Sequence, residues 1–140
     1  MLSAKETDDL RAFAGTMIPA SARHGVPGAD DEKIFADIVQ SVGRDLDDVR
    51  SALKRLAGIA DLTAEKRLDM ANAFRCEGGP TVVAIARAVL QCYYRDDRVM
   101  RALGQEPRSP FPKGHVVEQG DWSLLDPVKK RAPFWRRVPQ

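Results

Sequence analysis

The sequence has few of the side chains that carry catalytic or metal chemistry. It contains two histidines and two cysteines, and no apolar run approaches the roughly 20 residues that a membrane-spanning helix needs. The 22 basic and 20 acidic residues leave a net charge of only +2, so charge alone indicates neither nucleic acid nor an anionic membrane as a partner. With 140 residues, 44% of them hydrophobic, the chain has the composition of one globular domain with one core.

The two cysteines are too far apart along the predicted fold to form a disulfide. If residues 77–80 form the turn of a helical hairpin, Cys76 lies beside the turn and Cys92 lies roughly 18 Å along the second helix. A disulfide requires Cα atoms within about 7 Å of each other. We therefore expect two buried free thiols. Neither cysteine has the C-x-x-C spacing of a metal or redox site.

No catalytic set is recognisable among the remaining residues. His24 lies in a loop rich in glycine and proline, His115 lies near the end of the chain, and neither has carboxylates at a metal-binding spacing. The sequence contains no phosphate-binding loop and no nucleophile elbow, and the glycines of EGGP join two predicted helices. We therefore expect no catalytic, cofactor-binding or metal-binding residue, and no enzymatic activity of the chain itself.

Pairs of adjacent acidic residues offer an alternative source of acid–base or metal chemistry. Each pair falls at or near a predicted helix start, where the helix dipole favours negative charge. The pairs are Asp8–Asp9, Asp30–Asp31, Asp47–Asp48 and Asp96–Asp97. We interpret all four as helix-start residues.

Residues 1–104 predict an all-α bundle of five or six helices. Ser3 and Glu6 have the spacing of a capping box, and Pro19 ends the first helix. Caps for later helices are predicted at Asp45, Thr63 and either Asp96 or Asp97, and Gly104 closes the last helix. Apolar residues recur at helical spacing. The predicted inward faces are Leu10, Phe13, Ala14 and Met17; Ile34, Phe35, Ile38, Val39 and Val42; Val49, Leu53 and Leu56; and Leu68, Ala71 and Phe74.

The fifth predicted helix, PTVVAIARAVLQCYY, is apolar on most sides. Its only charged residue before Tyr94 is Arg87, and Pro80 suits its first turn. A helix that is apolar all round is usually buried in the middle of a bundle. The residues predicted to be among the most buried are Val83, Ile85, Ala86, Val89 and Leu90.

Residues 105–140 follow a different pattern and are predicted to form an extended, proline-rich tail that binds a partner. This segment holds six of the nine prolines, whose spacing excludes a long helix, and four of the nine aromatic residues. Disordered segments are poor in aromatics, so we expect the tail to lie on a surface. Aromatic residues and arginine are typical interface anchors. The predicted interface residues are Phe111, Trp122, Leu124, Leu125, Phe134, Trp135, Arg136 and Arg137.

Two other interpretations of the tail stay open. Its side chains could cover the chain's own bundle, which makes the protein a self-contained helical adaptor or regulator. The basic residues at 129–131 and 136–137 could contact phosphates, as in a small nucleic-acid-binding protein, but five charges are a weak electrostatic footprint. We therefore favour a partner protein and expect no nucleic acid and no direct membrane insertion.

Four stretches of the chain resemble a known family. The stretch LRAFAGTMIPASARHGVPGADD is a predicted helix ending in T-M-I-P, then a loop rich in glycine and proline. YYRDDRVMRALG, PFPKG and DWSLLDPVKKR follow later in the chain. In this order they resemble the small subunit of flavin-dependent sugar dehydrogenases, the gluconate 2-dehydrogenase subunit 3 family, which includes the gamma subunit of bacterial FAD-dependent glucose dehydrogenase.

The resemblance implies a helical, non-catalytic subunit of a heteromeric oxidoreductase complex. Such a subunit binds a large FAD-containing flavoprotein of the glucose–methanol–choline type, supports its folding in a chaperone-like way and accompanies it to the periplasm, often with a cytochrome subunit. Members typically begin with a twin-arginine leader, whereas MLSAKETDDLRAF has no basic start and no apolar stretch. The leader is then either removed or carried by the partner, or the complex is cytoplasmic. The family has no active-site motif to transfer.

Overall fold

The structure is a computed structural model that describes residues 1–109, 114 and 118–132. Its α-helices are α1 (Ala4–Met17), α2 (Glu32–Ser41), α3 (Leu46–Arg55), α4 (Ala64–Glu77), α5 (Pro80–Tyr93), α6 (Asp97–Ala102) and α7 (Asp126–Lys129). Short 3₁₀ turns occupy Val42–Asp45, Ile59–Asp61 and Trp122–Leu125. The described residues contain no β-strand, only an isolated bridge between Ser21 and Val26. The predicted all-α class is confirmed.

The chain divides into two compact units, Met1–Pro107 and Arg108–Gln140. The first unit contains helices α1 to α6, and the second contains the short α7. Among the described residues, the buried hydrophobic core runs from Leu10 to Val99 and so lies within the first unit.

Helix α1 begins at the predicted capping box. The Ser3 hydroxyl accepts a hydrogen bond from the Glu6 backbone N–H at 3.2 Å, and the Glu6 carboxylate accepts one from the Ser3 N–H at 2.7 Å. Hydrogen bonding of the Glu6 carboxylate, first by the Ser3 backbone N–H and then by the Ser3 side chain, lowers the pKa of Glu6. Leu10, Phe13 and Ala14 face the core as predicted. The capping box therefore fixes where the apolar face of α1 begins.

The starts of α2 and α3 differ in how they are capped. Asp31 accepts hydrogen bonds from the N–H groups of Lys33 and Ile34 and so caps α2. Asp45 occupies the N-cap position of α3 but makes no capping bond, contrary to the prediction. Its carboxylate instead accepts a hydrogen bond at 2.7 Å from Arg87 of α5. The Asp45 side chain therefore pairs with Arg87 instead of capping α3.

Helix α4 is less deeply packed than its pattern predicts. Phe74 is buried and Ala71 is half-buried, but Leu68 is exposed, so its predicted inward position is wrong. Thr63 precedes the helix without making a capping bond. The helix ends at Gly78, and Gly78 and Gly79 both have positive φ, which only glycine adopts at little cost. Pro80 then opens α5 at its first turn, as predicted.

Helix α5 lies against α2 and α3, and this packing decides which of its residues are buried. Its buried residues are Ala84, Ile85, Ala88, Val89, Cys92 and Tyr93. The predictions for Ile85 and Val89 are confirmed, whereas Val83 is 58% exposed, Leu90 is 37% exposed and Ala86 is half-buried. The prediction of burial all round is wrong because α5 packs much more closely with α2 and α3 than with α4.

The two cysteines are free, as predicted, but only one of them is buried. Cys92 lies in the core, and burial raises the pKa of its thiol. Cys76 is exposed, contrary to the prediction, because it lies in the last turn of α4 on the side away from the core.

Three of the acidic pairs lie at helix starts, and the pair Asp8–Asp9 does not. Asp47–Asp48 lie in the first turn of α3, and Asp96 caps α6 by accepting a hydrogen bond from the Arg98 N–H. Asp9 lies in the middle of α1 and is buried, so its interpretation as a helix-start residue is wrong. Its two carboxylate oxygens accept hydrogen bonds at 3.1 Å from the N–H groups of Gly58 and Ala60. Asp9 therefore ties α1 to the turn that follows α3.

Helix α6 closes the bundle. Gly104 has positive φ, its N–H donates to the carbonyl of Arg101, and the next N–H, of Gln105, donates to the carbonyl of Met100. This pair of bonds is the Schellman arrangement, which ends helices at glycine. The predicted stop at Gly104 is confirmed.

Candidate functional site

The predicted partner-binding segment of the tail forms a short helical element at its described centre. The Asp121 carboxylate caps it by accepting hydrogen bonds from the backbone N–H and the hydroxyl of Ser123, and these bonds lower the pKa of Asp121. A 3₁₀ turn over Trp122–Leu125 then leads directly into α7. Pro127 lies in the first turn of α7, where its missing N–H costs nothing. Residues 122–129 are therefore helical, which differs from the extended tail that the prolines predict.

This element presents its apolar side chains to solvent. We call Trp122, Leu124, Leu125 and Val128 the tail apolar patch. Trp122 is 63% exposed and Leu124 is 74% exposed, and Leu125 and Val128 are also exposed. The Trp122 indole N–H donates to the side chain of Gln119 at 3.3 Å, which orients the ring without burying it. Four large apolar side chains thus share one short segment.

Basic residues follow the tail apolar patch directly. Lys129, Lys130 and Arg131 are all exposed, and the Lys129 ammonium lies 3.3 Å from the Asp126 carboxylate. An apolar centre with charged neighbours is the usual arrangement of a protein–protein contact surface. Five of the predicted interface residues lie outside the described residues. They are Phe111, Phe134, Trp135, Arg136 and Arg137.

A second apolar surface lies on the bundle, where the sequence predicts core. The exposed Leu68 of α4 lines a cavity of about 230 Å³ between α1, α4 and α5, and the exposed Val83 of α5 directly follows Val82 of the cavity wall. Phe13 and Phe74 form its floor, with their rings edge to face and 6.0 Å between centroids. We call this the α4–α5 groove. Sequence analysis missed it because Leu68 and Val83 have the helical spacing of core residues.

A wider cleft of about 600 Å³ lies between α1, α4 and the loop before α2, and it is lined by charged residues. Two arginines line it, and both donate hydrogen bonds to backbone carbonyls. Arg11 donates to the carbonyl of Asp30 and stacks over the Phe35 ring, and Arg67 donates to the carbonyls of Ile59 and Ala60. Both guanidinium groups therefore stabilise the fold, and their hydrogen bonds to the backbone leave fewer donors for a ligand.

An ion-pair network joins α6 to the start of α2. Arg98 donates to the carboxylates of Asp31 and Asp96, with a shortest contact of 2.6 Å to Asp31. These hydrogen bonds from Arg98 lower the pKa of both carboxyl groups. Lys33 lies 3.9 Å from Asp96, and Arg95 makes a separate bidentate pair with Asp37. The acids are held ionised for structural pairing.

The part of the chain that the structure describes lacks the features of a metal site or a membrane span. No cluster of three histidine, cysteine or acidic side chains capable of holding a metal occurs there. None of the helices in that part has both the length and the apolar character to cross a membrane.

Comparison with known proteins returns no match: no family model, no curated protein and no solved structure is similar to this chain.

Proposed function

We propose that this chain is a non-catalytic accessory subunit that binds, stabilises and escorts a large FAD-dependent oxidoreductase acting on sugars or related alcohols. The partner is of the glucose–methanol–choline type and holds the FAD. In many complexes of this kind a cytochrome subunit accepts the electrons. The complex is periplasmic if a leader is removed or carried by the partner, and cytoplasmic otherwise. The sequence resemblance supplies the identity of the partner, and the tail apolar patch supplies the binding surface.

The single observation that carries the proposal is the exposure of Trp122 and Leu124 on one short element. Isolated apolar residues are common on protein surfaces, but a cluster around a tryptophan is typical of an interaction site. Tryptophan is rigid and large, so it buries much apolar area at small cost in side-chain entropy. The N-cap of Asp121 fixes the element before binding, which lowers the ordering cost further.

The test is binding of the purified full chain to a candidate FAD-dependent oxidoreductase subunit, beginning with one encoded by a neighbouring reading frame. We expect Trp122→Ala to weaken the complex by about 2 kcal/mol or more, the range of interface hot spots. Leu103→Ala is the matched control, because Leu103 is an exposed apolar residue of the bundle. Equal affinities of the wild-type chain and the Trp122→Ala variant would contradict the role of the patch.

The self-contained adaptor, whose tail packs on its own core, makes the opposite prediction for the isolated chain. If the tail serves a partner, truncation after Gly104 leaves a folded helical bundle and abolishes binding of the flavoprotein. Circular dichroism and thermal melting of the truncated chain distinguish the two functions. Unfolding or aggregation of the truncated chain supports the adaptor.

The absence of a cofactor in this chain is tested separately by absorption spectroscopy of the isolated subunit. We expect no flavin or haem spectrum and no stoichiometric metal. A stoichiometric flavin band in the purified chain would contradict the proposed non-catalytic role.

A further inference from the structure

We propose that the α4–α5 groove is a second docking surface, which receives one amphipathic helix of the larger partner with an acidic residue of that helix beside Arg75. The inference rests on the proposed function, because the partner is the same oxidoreductase subunit. It differs from the tail apolar patch in position, since the groove lies entirely within the bundle unit.

The shape of the groove suits side chains of a protein. Its cavity of about 230 Å³ is smaller than the roughly 300–1,000 Å³ of sites that enclose whole small molecules. Met17, Ala71, Val82 and Ala86 form apolar walls above the Phe13–Phe74 floor. A cavity of this size accepts one or two apolar side chains, which is the usual depth of an anchor pocket in helix recognition.

The surface next to the cavity has the periodicity of a helix-packing ridge. Val82, Ala86, Leu90 and Tyr94 follow one another at intervals of four residues along α5, and Leu90 and Tyr94 are exposed. Rows of this spacing are the ridges along which a second helix packs. The row spans twelve residues, or about 18 Å at 1.5 Å per residue. It therefore provides contact length for about three turns of a docked helix.

Charge at one end of the groove indicates the chemistry of the occupant. Arg75 lines the cavity. Within the described part of the chain its side chain makes no hydrogen bond or ion pair. The start of α5 lies at the same end, because the turn at Gly78–Gly79 joins the two helices. That first turn contains no acidic residue, so its helix-end dipole also favours a negative group. An acidic side chain on the docked helix would form an ion pair with Arg75 at this end of the groove.

The neighbouring arginines show that Arg75 is the exception. Arg55 pairs with Glu77 and lies over the Phe74 ring, and Arg67 donates to two backbone carbonyls. Arg75 is thus the arginine of this region that is left for an external carboxylate. An apolar cavity beside an available guanidinium matches a helix with one acidic residue and apolar anchors, and does not match a basic segment.

The experiment measures the affinity of the full chain for the FAD-dependent oxidoreductase subunit by calorimetry, with two matched pairs of variants. Leu68→Asp places a charge in the groove, and Leu103→Asp places one elsewhere on the bundle; the two leucines are 52% and 56% exposed. We expect Leu68→Asp to weaken binding at least tenfold and Leu103→Asp to change it less than twofold. Melting of each isolated variant confirms that both chains stay folded.

The second pair tests the acidic residue of the docked helix. Arg75→Glu reverses the charge in the groove, whereas Lys66→Glu reverses an exposed charge nine residues earlier, on the opposite face of α4. We expect Arg75→Glu to weaken binding at least fivefold more than Lys66→Glu. Raised salt should reduce this difference, because charge pairing at the rim of an interface is screened.

The outcomes separate this inference from the proposed function. If the wild-type chain forms no complex, both proposals fail. If it forms a complex that Trp122→Ala weakens but Leu68→Asp and Arg75→Glu do not, the proposed function stands and the groove inference is overturned. A wild-type dimer that Leu68→Asp dissociates assigns the groove to a second copy. A lower melting midpoint for Leu68→Asp than for Leu103→Asp assigns it to the chain's own segments, which also overturns the inference.

Discussion

The two sides of α5 have similar apolar sequences and very different surroundings. On the closed side, toward α2 and α3, Ile85 and Val89 are fully buried. On the open side, Val83 and Leu90 are exposed, and Val82 and Ala86 line the α4–α5 groove. Both sides carry β-branched or aliphatic residues, so hydrophobicity alone does not distinguish them. Burial depends on which neighbouring helix is close enough to cover each side.

This comparison shows why an apolar helix is not always a central one. A helix that is apolar all round is usually buried on every side. Here α4 is joined to α5 by a two-glycine turn and packs chiefly against α1, so it covers little of α5. The apolar residues of the open side are then available for another chain.

Removing a buried side chain on the closed side should have the largest effect. We expect Ile85→Ala to lower the free energy of unfolding by about 2–5 kcal/mol, through lost burial and the cavity left behind. Leu90→Ala on the same helix should cost under about 1 kcal/mol, because Leu90 is partly exposed. Urea denaturation of both variants provides the measurement. Equal losses would mean that the open side is covered in solution.

The second prediction concerns the buried carboxylate that joins α1 to the turn after α3. Asp9→Ala leaves the N–H groups of Gly58 and Ala60 without their acceptor, so we expect a loss of about 1–3 kcal/mol. The matched control is Asp8→Ala, because Asp8 is adjacent and exposed. It should change stability by less than about 0.5 kcal/mol. Thermal melting at neutral pH distinguishes them.

The third prediction is a pH dependence from the Arg98 network. Arg98 lowers the pKa of Asp31 and Asp96 in the folded chain below the ordinary value near 4. A lowered carboxyl pKa contributes stability above the ordinary pKa, and that stability is lost as the pH falls through the folded pKa. Arg98→Gln should therefore lower the free energy of unfolding at neutral pH. The loss should be only about 1 kcal/mol, because the ion pairs are partly exposed. It should be smaller near pH 2, where the aspartates are protonated.

Melting of the wild-type and Arg98→Gln chains between pH 7 and pH 2 measures this effect. The two curves should converge as the pH falls, because protonated aspartates no longer pair with Arg98. Arg101→Gln is the control, since Arg101 pairs only with Asp97 one turn earlier on the same helix. A constant difference between the wild-type and Arg98→Gln curves at every pH would contradict the ion-pair explanation.

Sequence reasoning succeeded where a feature depends on neighbouring residues in the chain. The capping box at Ser3, the stop at Gly104 and the start of α5 at Pro80 all follow from local rules, and the structure has all three. It was wrong for Leu68 and Asp9, whose surroundings depend on distant elements. No local pattern indicates that the N–H groups of Gly58 and Ala60 will donate hydrogen bonds to the carboxylate of Asp9. The α4–α5 groove could not be predicted for the same reason, because it depends on how α4 packs against α1 and α5.

The last prediction has the smallest effect on folding and separates the two sides of α5 most sharply. Val83→Ser removes an exposed apolar side chain, so the free energy of unfolding should change by less than about 0.5 kcal/mol. Val89→Ser on the closed side removes buried apolar volume and places a hydroxyl in the core, so it should cost several times more. If the open side serves a partner, Val83→Ser should still weaken the complex with the flavoprotein subunit, measured by calorimetry on the same samples. A loss of folding stability equal to that of Val89→Ser would instead show that Val83 belongs to the core in solution, and that the difference between the two sides does not exist.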